Sequence, residues 1–111
     1  MAAIWRYDMI KVVAFVRKRP DISREEFIKR WTEDHTKLSK VLGASPYRIN
    51  IVAATQYNNA TPPYDGTAEM YWPDRATFEA ALASRQGKLA GDDVANFAAS
   101  VELSVMEEWL V

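Results

Sequence analysis

The stretch that most constrains this chain runs from Ser23 to Leu42, SREEFIKRWTEDHTKLSKVL. Phe27, Trp31, His35, Leu38 and Leu42 fall 4, 4, 3 and 4 residues apart, the spacing at which side chains share one face of a helix. Local signals mark both ends. Ser23 and Glu26 form an S-x-x-E capping box, Ile22 and Phe27 occupy the hydrophobic-staple positions, and Gly43 stops the helix. Glu25, Glu26, Lys29, Arg30, Glu33, Lys37 and Lys40 make its solvated face. His35, the only histidine of the chain, lies on the apolar stripe. An imidazole there is either a structural hydrogen-bonder or the working group of a site.

The segments around this helix alternate as strands do. Met9 to Arg17 is rich in β-branched residues, with Ile10, Val12, Ala14 and Val16 facing one way and Lys11, Val13, Phe15 and Arg17 the other. Tyr47 to Gln56 reads as a second strand, Thr67 to Trp72 as a third and Ser100 to Val111 as a fourth. Pro62-Pro63 and Asp65-Gly66 mark a turn segment from Tyr57 to Gly66. Asp74 is placed to cap a helix from Arg75 to about Arg85, and Gly87 and Gly91 interrupt the pattern. Asp92 or Asp93 then caps a short helix through Val94 and Phe97.

The order is β-α-β-β-α-β: a ferredoxin-like α+β domain over residues 9–111, preceded by an extension of residues 1–8. The lead-in carries Ile4, Trp5 and Tyr7, aromatics and apolars suited to docking on the body or on a partner chain. Helices are expected on one face of a four-stranded antiparallel sheet. Val13, Phe15 and Tyr71 would stay on the other face, where a second copy would bury them, so a homodimer is expected.

Composition removes several functions. A formal net charge of −1 supplies no field for nucleic acid or an anionic membrane surface. No run reaches membrane-spanning length, and the first residues lack a secretion signal, so a cytoplasmic protein is expected. Without cysteine there is no disulfide, thiolate nucleophile or thiolate metal site, and one histidine does not build a zinc centre. G-x-S-x-G, P-loop and G-x-G-x-x-G motifs are all missing.

The pieces MIKVVAFVRKRPDISREEFIKRWTEDHTKL, YRINIV, PPYDGTAEMYW and MEEWLV together resemble the EthD (ethyl tert-butyl ether degradation) family of the dimeric α+β barrel superfamily. The resemblance implies a barrel made by two copies and a role in degrading small organic compounds or tailoring aromatic polyketides. His35 matches the histidine of the family's W-x-x-x-H motif, a candidate acid or base. Tyr47 and Asn50 match Y-x-x-N, and Tyr64, Asp65, Gly66 and Glu69 match P-P-Y-D-G-x-A-E. The longer N-terminal arm and the aromatic pair Tyr71-Trp72 depart from the pattern.

His35 and Glu69 are therefore the catalytic candidates: Glu69 either orients His35, acts itself with a raised pKa, or pairs with Arg48 or Arg17. Phe15, Trp31, Arg48, Asn50, Tyr64, Asp65 and Tyr71 are the substrate-binding candidates. Parity leaves Tyr47 to the core. The expected function is an acid–base enzyme needing neither metal nor organic cofactor and acting on a small apolar carbonyl or aromatic compound. The alternative is a non-catalytic protein that holds such a compound for an oxygenase.

Overall fold

A computed structural model describes residues 5–6, 9–58 and 61–111. Ile4 and Tyr7 of the lead-in lie outside the described residues. Strand β1, Trp5–Arg6, forms a short antiparallel ladder with β6, Trp109–Leu110, apart from the main sheet. The main sheet holds β2 (Ile10–Lys18), β3 (Tyr47–Ile51), β4 (Gly66–Trp72) and β5 (Ala98–Met106) in the order β3-β4-β2-β5, every pair antiparallel. This is the split β-α-β-β-α-β arrangement expected from the sequence.

Alternation sorts the strands as the pattern requires. Val12, Ala14, Val16, Ala68 and Trp72 are buried beneath the helices, while Lys11, Phe15, Asn50, Thr67 and Glu69 belong to the opposite, open face. β3 ends at Ile51 rather than Gln56. Its partner strand begins at Gly66, directly opposite Ile51, and beyond that pair the Val52 N–H donates to the Asp65 carbonyl at 2.9 Å. The chain then turns through a 3₁₀ segment, Ala54–Asn58.

The long helix α1 covers residues 24–42 but is not uniform. It runs as α-helix over Arg24–Lys29, widens to a π-helix over Arg30–His35, resumes over Thr36–Ser39 and tightens to 3₁₀ at Lys40–Leu42. Ser23 caps it by accepting the Glu26 N–H at 3.1 Å, and Gly43, at φ 104°, closes it in the left-handed region that favours glycine. The π segment changes which residues face inward. In a regular helix each four-residue step drifts by about 40°; the wider π turn counteracts that drift. Phe27, Trp31, His35 and Ser39 consequently share the buried stripe, with Ser39 in the place the apolar pattern assigned to Leu38.

Helix α2, Arg75–Ala83, is capped by Asp74, whose carboxylate accepts the Thr77 N–H at 2.7 Å. Ser84 is extended and caps α3, Arg85–Asp93, by accepting the Gly87 N–H at 3.0 Å. Gly87 thus lies inside a helix rather than interrupting one. A Cβ there would strike the backbone carbonyls of Ala81 and Leu82, so the α2–α3 corner requires glycine. Asp93 ends α3 and stands at the N-cap position of a short 3₁₀ helix, Val94–Asn96, without a side-chain bond to cap it.

The core centres on Trp31, stacked on Phe97 at 5.8 Å and 15°, with Phe27 tilted against both. Burying Phe27 and Phe97 contributes about 1.5–3 kcal/mol each. Gly66 makes this packing possible. A Cβ there would lie 2.6 Å from both the Asn50 carbonyl oxygen and Trp31 Cζ3.

Candidate functional site

A cavity of about 140 Å³ opens between α1, α3 and the helical face of the sheet. Small residues make the room: Ala14 and Ala68 form its floor, and Gly87, Ala90 and Gly91 its α3 wall. Trp31 and Phe97 close one side. Polar side chains on the wall are few: His35, Ser39 and Tyr47.

His35 is 7 % exposed and stands at the end of the π segment. Its Nδ1 lies 3.0 Å from Asp93 Oδ2, and its ring packs edge-on against Phe97 at 5.1 Å. Asp93 is itself held, because Asn96 Nδ2 donates to its other oxygen at 2.8 Å. A carboxylate accepts, so this contact assigns the ring proton to Nδ1 and leaves the lone pair on Nε2. No described residue bonds Nε2, and His35 lines the cavity. Ser39 Oγ and Tyr47 OH share a hydrogen bond of 2.8 Å one helical turn further on. Burial raises the Tyr47 phenol above its ordinary pKa, with the Ser39 contact opposing, so the hydroxyl stays neutral at pH 7.

The sheet's open face carries a second polar group. Lys11 Nζ lies 2.6 Å from Glu69 Oε1 and 2.9 Å from Glu108 Oε1. Asn50 Nδ2 donates to Glu69 Oε2 at 2.9 Å and to Thr67 Oγ1 at 3.0 Å. Tyr71 OH donates to Glu108 at 2.7 Å. The Lys11 hydrogen bond, followed by that of Asn50, lowers the Glu69 pKa. Lys11 is raised, chiefly by Glu69. Burial and then the Glu108 bond raise Tyr71.

Two sequence expectations for Glu69 are corrected by this geometry. It does not orient His35, because strand parity places the two on opposite faces of the sheet; Asp93 holds that position instead. Nor is its pKa raised, because Lys11 stabilises the ionised carboxylate. Its cationic partner is Lys11 rather than Arg48 or Arg17; Arg17 instead donates to the carbonyls of Pro62 and Pro63. Arg48 sits opposite Glu69 in the ladder and lowers its pKa only through longer-range charge.

The remaining candidates divide by face. Trp31 joins His35 at the cavity. Phe15 and Tyr64 meet edge to face at 5.3 Å beside a shallow open-face depression. Asn50 and Tyr71 belong to the Lys11 network. Asp65 is buried at the turn, accepting the Lys18 N–H at 2.6 Å and so tying the loop to the end of β2. Sequence reasoning missed Asp93 and Ser39 and left Tyr47 as core. The signal for Ser39 and Tyr47 was present in the unbroken four-residue spacing 27-31-35-39 and in the Y-x-x-N match. Asp93 lies 58 residues from His35 and offered only a helix-cap signal.

A sequence profile of the EthD domain matches residues 19–100. No curated protein matches the chain at a significant level. Among solved structures, an EthD-family protein of Bacillus halodurans superposes with a TM-score of 0.74 at 22 % identity, covering 90 % of this chain and 98 % of its own. A dimeric ferredoxin-like protein of unknown function from Bacteroides fragilis follows at 0.69 and 12 % identity, covering 94 % and 100 %. A cofactor-independent oxygenase of Streptomyces nogalater, solved as a point mutant, superposes at 0.65 and 13 % identity, covering 90 % and 92 %. At these identities the likeness is one of fold.

Proposed function

The chain belongs to the EthD family, and on that premise we propose that it is a cofactor-independent acid–base enzyme. His35, oriented by Asp93, moves a proton on a small apolar carbonyl or aromatic compound held in the cavity. The observation that carries this reading is the 3.0 Å contact from His35 Nδ1 to Asp93 Oδ2 at the wall of an apolar chamber. Asp93 fixes the ring and stabilises the imidazolium that forms when Nε2 accepts a proton, the arrangement that makes histidine an effective general base. Tyr47 OH, neutral at pH 7, is a donor for an oxygen that gains negative charge as the proton leaves. The Streptomyces oxygenase is a precedent for cofactor-free chemistry on this fold, and fold alone does not select the reaction.

The reading extends to a homodimer. Val105, Met106, Trp109 and Leu110 are all exposed along β5 and β6, an apolar concentration that a second copy would cover.

Exchange of the α-protons of cyclohexanone in D₂O, followed by NMR, tests the proton shuttle. The wild-type protein should accelerate exchange, and His35→Ala, folded by circular dichroism, should not. Equal exchange by both would overturn the assignment. The almost wholly apolar lining favours one second reading, a binding protein that holds a hydrophobic intermediate for an oxygenase. Saturable binding with no exchange would select it.

A further inference from the structure

Gly91 is a glycine without a packing reason. It lies inside α3, where glycine is less stable than alanine. Its φ is not in the left-handed region, and a Cβ added there would meet nothing within 4 Å. Gly87, one turn earlier, differs, because the Ala81 and Leu82 carbonyls leave it no room. What Gly91 does have is a place on the cavity wall, and it is exposed there. Leu82 and Leu103 also line the cavity while being 42 % and 51 % exposed. These three residues mark the mouth.

Resting on the proton-shuttle reading above, we propose that Gly91 is the specificity-determining residue of the site: its missing side chain keeps the mouth open to one neutral six-membered ring carrying a single hydroxyl or carbonyl oxygen. Three observations converge on that ligand. A chamber of about 140 Å³ is close to the volume, about 150 Å³, at which an apolar protein cavity takes up benzene. Among the described residues no lysine or arginine lines it, so a carboxylate or phosphate would be desolvated without compensation. Its polar side chains are only three, enough for one oxygen: His35, more than nine-tenths buried, and the Ser39–Tyr47 hydroxyl pair a helical turn away. A fused two-ring compound exceeds the chamber.

The test uses phenol and 1-naphthol, with quenching of tryptophan fluorescence (Trp31 lines the cavity) and the His35 imidazole NMR signals as readouts. Phenol should saturate the wild-type protein and shift His35, and 1-naphthol should bind at least tenfold more weakly. Gly91→Ala should weaken phenol binding severalfold. Gly91→Leu should lose it at least tenfold while melting no lower than wild type, since the new side chain enters open space at a helical position. Undiminished phenol binding by a folded Gly91→Leu protein, or naphthol binding equal to phenol, overturns the gate. Phenol binding that is lost in Gly91→Leu yet leaves His35 unmoved upholds the gate and sinks the proton shuttle. No binding of either probe overturns both.

Discussion

In the proposed mechanism His35 depends on the neighbours that hold its ring. Asp93 takes Nδ1, Phe97 packs edge to face against the ring, and no described residue bonds Nε2. Asp93→Asn should keep the fold, because Asn96 still has an oxygen to bond. The amide cannot stabilise an imidazolium as a carboxylate does, so cyclohexanone exchange should fall by about 10²–10⁴-fold, the usual worth of a positioned acid–base group. Exchange within twofold of wild type in the D93N protein would remove Asp93 from the mechanism. Gly66 is the residue on which the core depends most. A methyl group there meets the Asn50 carbonyl and the Trp31 ring at 2.6 Å, so Gly66→Ala should cost about 1–3 kcal/mol in urea unfolding, the range for overpacking.

At the scale of elements, the strand faces and helix starts were legible because they rest on local rules. Alternation sorted β2, β3 and β4 onto the correct faces, and Ser23 and Asp74 announced their helices. Ser23→Ala should lower stability by about 1 kcal/mol through loss of the Glu26 N–H bond, checked by the urea midpoint. The π segment was not legible. Hydrophobicity favours Leu38 over Ser39 for the inner stripe and masks the four-residue spacing; the π turn brings Ser39 inward, where it bonds Tyr47 on a different element. The His35–Asp93 pair was hidden for the same reason: α3 reaches α1 through tertiary packing, and nothing in the local sequence of Asp93 records it.

The sheet's open face carries its own pH dependence. Glu69 and Glu108 both have folded pKa values below the ordinary 4.5, Glu69 first through Lys11 and Glu108 first through Tyr71 and then Lys11. Their contribution is therefore complete above pH 4.5 and is lost as pH falls below it, through the lowered folded values. The urea midpoint should drop across that window, and Glu69→Gln should flatten the drop. An unchanged profile in that variant would mean that Lys11 gives Glu69 no net stabilisation.

At the scale of the whole molecule, the sequence placed Val13 and Tyr71 on an open face but could not show how far one copy covers it. Both are already buried in the single chain, with Glu108 of the C-terminal segment bonded to Tyr71. Among the apolar side chains left exposed are those of Val105, Met106, Trp109 and Leu110 on β5 and β6. Light scattering should give a mass twice that of the 12.6 kDa chain, and Val105→Glu with Trp109→Glu should return it to the monomer. A monomeric wild type would remove the dimer from the proposed function. The molecule also contains a single histidine, which makes the most direct measurement unambiguous. In a long-range ¹H–¹⁵N NMR spectrum recorded where the ring is neutral, the one imidazole should show its proton on Nδ1, and its Nε2 resonance should move when phenol is added. A proton on Nε2 in the neutral ring, or an Nε2 resonance indifferent to a bound ligand, would contradict His35 as the proton shuttle.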